Sequence, residues 1–151
     1  MIQRKQTLWL LAAFVLSAIC LCLPLASFEP KGMGVASVIY NLGVTDGEGV
    51  LHFSSWPLFA MLSLSSLLTL VAIFLFKNRK LQMKLCMAGT VLNMAWYVYM
   101  GIVYFSVLQT AGAFRIKLAL CLPLVALIFL VLARKAIKSD EELVRSMDRI
   151  R

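Results

Sequence analysis

The side chains able to move protons, attack a substrate or hold a metal are few in this sequence, and they are scattered. A single histidine, His52, stands near Asp46 and Glu48, with Tyr40 and Glu29 further off along the chain. An enzyme acting on lipid would need His52, Asp46, Glu48 and Tyr40 assembled into one site, and a metal at His52 would need Asp46, Glu48 and Glu29 brought to it, yet the spacing follows no catalytic or metal-binding pattern. A lone imidazole without Cys or His companions reads as a surface residue of a loop. Four cysteines, Cys20, Cys22, Cys86 and Cys121, fall inside apolar stretches with no Cys-x-x-Cys pair and no neighbouring histidine. That pattern belongs to small buried apolar side chains, and it gives neither a zinc site nor a redox pair. No catalytic residue, cofactor or metal is therefore expected, and the chain does not read as an enzyme.

Within the apolar stretches the chemistry is thinner still. None of the seven acidic residues lies there, and neither does the histidine. Proton-coupled carriers and intramembrane hydrolases need such groups to carry a proton or polarise water. What the stretches do carry is a stripe of Gly89, Asn93, Tyr97, Gly101 and Phe105, one every four residues on a drifting helix face, and a cluster of Ser63, Ser65, Ser66 and Thr69. Small residues let helices approach closely, and a buried Asn bonds across such an interface for about 1 kcal/mol. Helix packing is one reading. The other is a pocket around Asn93, lined by Tyr97 and the serines, for an uncharged or lipid-like molecule. The same residues suit self-association, so the oligomeric state stays open. Trp96 reads as packing, with an indole donor that needs an acceptor if buried.

Such groups must be positioned by elements that the composition identifies. The chain is 62% hydrophobic and 15% charged, with a mean hydropathy of +0.89, whereas soluble domains are nearer half apolar and a quarter charged. Four apolar runs, residues 7–26, 56–76, 85–108 and 113–133, are each close to the roughly 20 residues a helix needs to cross the hydrocarbon core. The first exceeds the roughly 7 to 15 residues of a signal-peptide core, and Pro24 and Leu25 stand where a cleavage site wants small residues, so it reads as a retained span. The second opens on Trp56-Pro57, an interfacial aromatic and a residue suited to a first helical turn. The fourth has an uncharged core over 118–133 and reaches back to 113 if Arg115 and Lys117 snorkel; Pro123 inside it predicts a kink and an unpaired Ala119 carbonyl. The loop 27–55 is the only long polar connection. Its β-type runs at 35–42 and 49–53, separated by Thr45-Asp46-Gly47-Glu48-Gly49, predict one small β-hairpin outside the bilayer.

The formal net charge of +8 sits at the ends of the apolar runs, where anionic headgroups attract it. No basic and aromatic residues interleave outside them, so nucleic acid is not an expected partner. Arg4, Lys5, Lys77, Arg79, Lys80, Lys84 and the six basic residues from Arg134 onward fall on one side, against Lys31, Arg115 and Lys117 on the other. This imbalance places both termini in the cytoplasm and the hairpin outside. After the fourth span, Ser139 with Glu142 forms a capping box that predicts a new helix over 139–151. Leu143, Val144, Met147 and Ile150 fall on one face of it and Arg145 and Arg149 on the other. That short amphipathic tail lies on the cytoplasmic leaflet or docks a protein partner.

The opening Met1-Ile2-Gln3-Arg4-Lys5-Gln6-Thr7 with Leu8, Trp9, Leu10 and Leu11, the pair Trp56-Pro57, and the closing run from Leu132 to Arg151 add a family likeness. In these residues, and in length and span layout over the whole chain, the protein resembles a domain-of-unknown-function family of short bacterial four-helix integral membrane proteins. The resemblance implies that architecture and a bacterial inner membrane. It brings no activity, substrate, cofactor or catalytic residue with it.

The sequence thus predicts an all-α membrane protein with four transmembrane helices in a bundle over 1–138, a small extracytoplasmic β-hairpin and a cytoplasmic tail helix over 139–151. The expected role is a non-catalytic interaction or assembly protein of the inner membrane. Its partners would be the lipid bilayer and an unidentified membrane or cytoplasmic protein, and the alternative is a small carrier or pore for an uncharged or lipid-like molecule. The residues that carry these readings are Gly89, Asn93, Tyr97 and Gly101 in the spans, and Leu143, Val144, Arg145, Met147, Arg149 and Ile150 in the tail.

Overall fold

A computed structural model describes residues 3–30, 36–45, 49–76, 78–108 and 111–148. The chain is mostly helical, with four helices, α1 (Gln3–Cys22), α2 (Trp56–Phe74), α3 (Arg79–Leu108) and α4 (Leu122–Asp148). Five short strands complete it: β1 (Ala26–Pro30), β2 (Ser37–Ile39), β3 (Val44–Thr45), β4 (Leu51–His52) and β5 (Ala111–Ile116). Each helix packs on two others, α1 and α3 both lying against α2 and α4. Three helical stretches, Phe53–Phe74, Arg79–Phe105 and Leu118–Val144, are long and apolar enough to cross a membrane, and Gln6–Cys22 is a shorter apolar helix. These features are consistent with a membrane protein.

The outer surface agrees in kind. Large apolar side chains stand exposed along every helix, among them Val15, Ile19, Leu64, Leu67, Val71, Val91, Met94, Val98, Ile128 and Val131. A water-soluble monomer does not leave apolar surface on this scale uncovered. Inside, one apolar cluster joins Leu10, Ala72, Cys86, Leu130 and Ile137, and a second joins Cys20, Leu25, Leu58, Leu62 and Trp96. Cys22 and Cys121 differ from the expectation of buried cysteines, for both are exposed.

The strands depart most from the sequence expectation. Instead of one hairpin there is an antiparallel five-stranded sheet, ordered β4-β3-β2-β1-β5. The runs expected to pair directly, now β2 and β4, are separated by β3, because the chain already turns at Tyr40–Gly43, where the Tyr40 N–H donates to the Gly43 carbonyl at 2.8 Å. Only glycine fits there: a Cβ on Gly43 would lie 2.2 Å from the His52 carbonyl oxygen.

Both span boundaries next to the sheet are corrected. α1 stops at Cys22 rather than continuing to residue 26, since Pro24 lacks the N–H a helix needs and disfavours helical backbone at Leu23. The Leu25 backbone is taken by the sheet instead, donating to Ile39 O at 2.8 Å and accepting from Lys117 N at 3.0 Å. The fourth helix does not begin at Ala113. Residues 111–116 form β5, which satisfies the free edge of β1 and pairs Ser27 with Arg115. Nor is Pro123 inside the helix: a 3-10 turn over Leu118–Cys121 precedes α4, and Pro123 is its second residue, where no intrahelical donor is required. No kink is needed, and the Ala119 carbonyl accepts from Leu122 N–H and from the Cys20 thiol.

The tail is corrected as well. Ser139 starts no new helix, because α4 runs unbroken to Asp148. No Gly or Pro interrupts 134–148. The burial of Ile137 and Asp140 holds the chain in helical register through the supposed break.

Candidate functional site

α1 and α4 run antiparallel, with Gln6 opposite Asp140 at one end and Cys20 opposite Ala119 at the other. The start of α1, the α2–α3 connection and the last turns of α4 therefore share one end of the molecule, and the sheet caps the other. Of the basic residues that the sequence groups on one side, Arg79, Lys80, Lys84, Arg134 and Lys138 are described at this end.

Between the two apolar clusters lies a polar layer built on α2 and α3. Asn93, with no solvent exposure, donates through Nδ2 to Ser65 Oγ at 2.7 Å and to the Gly89 carbonyl at 2.9 Å. Ser65 Oγ donates to the same carbonyl at 3.2 Å. Asn93 Oδ1 is buried without a hydrogen-bond partner among the described residues. The neighbouring hydroxyls turn back on their own helix: Ser63 to Ala60 O, Ser66 to Ser63 O and Thr69 to Ser65 O.

The residues of the stripe on α3 meet different neighbours. Gly89 and Asn93 face α2, whereas the Tyr97 hydroxyl donates to the Leu120 carbonyl at 2.7 Å, in the 3-10 turn before α4. Gly101, with Tyr97, Met100, Tyr104, Ile116 and Leu120, lines a separate apolar cavity of about 220 Å³. Phe105 is exposed. A four-residue repeat drifts around a helix of 3.6 residues per turn, which turns successive members of the stripe toward different elements.

A second polar site, at the sheet end, escaped sequence reasoning. Asn41, fully buried at the turn after β2, donates through Nδ2 to the Cys20 carbonyl at 2.7 Å and accepts the Trp96 indole proton at 3.0 Å. One side chain thereby ties the sheet to the last turn of α1 and the middle of α3. The unsatisfied indole of Trp96 was the signal for it, but nothing local to residues 40–43 identifies which acceptor answers.

At the opposite end, Gln6 Nε2 donates to the Asp140 carboxylate and to Ala136 O at 3.3 Å, and Arg79 donates to Asp140 O at 3.1 Å. Gln82 donates to Ala72 O at 3.0 Å, satisfying a carbonyl in the last turn of α2. Asp140, next to the Ser139 expected to cap a tail helix, is buried as a link between α1, α3 and α4. Beyond it Leu143 and Val144 are exposed. The side chains of Arg145 and Met147, and all of Arg149 and Ile150, lie outside what is described.

Of the acidic and aromatic residues near His52 in the sequence, Asp46 and Glu48 lie outside the described residues and Tyr40 is half-buried after β2. His52 is exposed on β4, and Glu29 on β1 is paired with Arg115 on β5 at 3.6 Å, both side chains exposed. Among the described residues no three His, Cys, Asp or Glu side chains stand close enough to hold a metal ion.

The chain belongs to the family described as a domain of unknown function (DUF4293), whose model matches residues 2–150. No curated protein matches the sequence.

Proposed function

We propose that this chain, taken as a member of that family, is a multipass protein of the bacterial inner membrane with both termini in the cytoplasm. In this reading it is a non-catalytic interaction or assembly protein: α1–α4 form a transmembrane bundle, the sheet lies outside, and the end of α4 carries the contact surface. The observation that supports this best is the unbroken course of α4 past its apolar part. From Arg134 to Asp148 it extends a further 22 Å or so, anchored at its base by buried Ile137 and Asp140 and showing Leu143 and Val144 to solvent. A rigid helix with exposed apolar residues is preorganised for a partner, so binding costs little ordering.

The test is in-cell crosslinking of the full chain and of Leu143→Glu/Val144→Glu, followed by purification and mass spectrometry. Point changes are chosen over truncation because removing Asp140 would also strip Gln6 of its carboxylate acceptor. A stoichiometric protein partner that is lost with the double variant, while membrane insertion persists, supports the reading. A partner indifferent to it, or none at all, defeats it.

One observation favours the second reading, a carrier or pore for an uncharged or lipid-like molecule: Asn93 Oδ1 is a buried acceptor with nothing described donating to it. Under that reading Asn93→Leu alters flux while the protein remains folded. Unchanged flux removes it.

A further inference from the structure

At the charged end, α3 and α4 enclose a groove of about 530 Å³. Lys80 and Lys84 line it from one helix, Arg134 and Lys138 from the other. Each pair is spaced i, i+4, so two rows of like charge face each other, an arrangement that is unfavourable unless an anion sits between them. Among the described residues the only ion pair made by these four is Lys138 with Glu142 at 3.9 Å, and both side chains of that pair are about 70% exposed. Glu141 and Glu142 also line the groove, and the four cations leave an excess of positive charge.

Met83 and Met87 add an apolar part to the lining, and from Met87 the exposed side chains Val91, Met94 and Val98 continue along α3 at helical spacing. On α4, Val131, Ile128 and Leu124 continue likewise from Arg134, all exposed. Cations at one end and two bare apolar rows leading away from them have the polarity of a phospholipid, a headgroup followed by acyl chains. A soluble phosphate would use the cations and leave the rows without purpose.

We propose that the α3–α4 groove binds the phosphate headgroup of an anionic phospholipid, with the acyl chains lying along the Met87–Val98 and Arg134–Leu124 faces. Lys84 and Arg134 bracket the phosphate, Arg134 by its paired guanidinium donors, and Glu142 restrains Lys138. This inference rests on the membrane reading above and deepens it by naming a lipid class and a site.

The experiment reconstitutes the full chain in vesicles of phosphatidylcholine containing phosphatidylglycerol as the minor component, extracts it in a zwitterionic detergent and measures retained lipid by native mass spectrometry. Selective retention of phosphatidylglycerol is expected. Lys84→Gln/Arg134→Gln weakens it about thirtyfold, from roughly one surface-charge increment per cation removed. Lys135→Gln, an exposed cation of the same helix outside the groove, leaves it unchanged. Glu142→Gln, which frees Lys138, tightens it about fivefold, a gain that a misfolded variant does not give. The proposal is overturned if the double variant keeps its phosphatidylglycerol, if Lys135→Gln loses as much, or if inorganic phosphate displaces the lipid as well as added phosphatidylglycerol does. Alkaline carbonate extraction separates the two levels: a chain released from membranes ends the membrane reading and the site together, whereas a chain retained without lipid preference ends the site alone.

Discussion

Asn41 takes the indole proton of Trp96 and gives its amide to the Cys20 carbonyl, whereas Asn93 gives its amide to groups that already have other partners and leaves Oδ1 without a partner among the described residues. Their removal should therefore differ in cost, though both are fully buried. Asn41→Leu orphans a buried indole N–H and should destabilise the fold by about 1–3 kcal/mol. It is read as a lowered Tm in detergent with a shift in tryptophan emission, since Trp9 and Trp56 are already exposed. Asn93→Leu strands no donor and deletes an unpaired acceptor, so its stability should stay within about 1 kcal/mol of the parent or rise. A larger loss for Asn93 than for Asn41 would contradict this account. Gly89 is also less constrained than its place in the stripe suggests: an added Cβ meets Leu130 Cδ1 at 3.5 Å, ordinary contact. Gly89→Ala should fit and gain about 0.5–1 kcal/mol in helix propensity, measured as a raised Tm.

At the scale of elements, the sheet end depends on a close approach of backbone to backbone. Gly43→Ala pushes a methyl into the His52 carbonyl and should separate β3 from β4, with limited proteolysis cutting the 36–55 region while the helices stay intact. The helices themselves were legible in the sequence, because an uncharged apolar run ended by charges needs only local information, and Trp56-Pro57 marks the start of α2. The ends were less so. α3 begins at Arg79, six residues before its apolar run, as nothing in Lys80 to Lys84 breaks a helix. The capping box at Ser139 was a true local pattern overridden by continuous helical sequence and by the burial of Asp140. β5 was read as helix because its partner strand lies far away in the chain, and an edge that needs covering leaves no mark on the segment that covers it. Of the candidate site, the link between Asn93 and Ser65 followed from facing small polar residues. The links from Asn41 to Trp96 and from Gln6 to Asp140 span too much chain for spacing to show them.

For the whole molecule, the charged end is held by contacts that reach across the full sequence. Gln6 on α1, Arg79 on α3 and Asp140 on α4 meet there, so the tail is part of the helix packing before it is anything else. A chain ending at Lys138 should lose protection against hydrogen exchange in the first turns of α1 and at the start of α3, although neither segment has been altered. Unchanged exchange there would mean that these three residues do not act together.

The pairing of β1 with β5 carries a consequence in time. A ribosome delivers β1 early, but its second edge can be closed only after α2 and α3 have been made and Ala111 to Ile116 have emerged. Until then one row of backbone donors and acceptors beside Ser27 and Phe28 has no strand to pair with, a standing invitation to other chains. Closure of this non-local pair is the slow kind of contact, in which the loop must be ordered before any bond rewards it. The sheet is therefore completed only after α3, and it works as a latch, reporting that the end of the third helix has come back to the place where the first one stops.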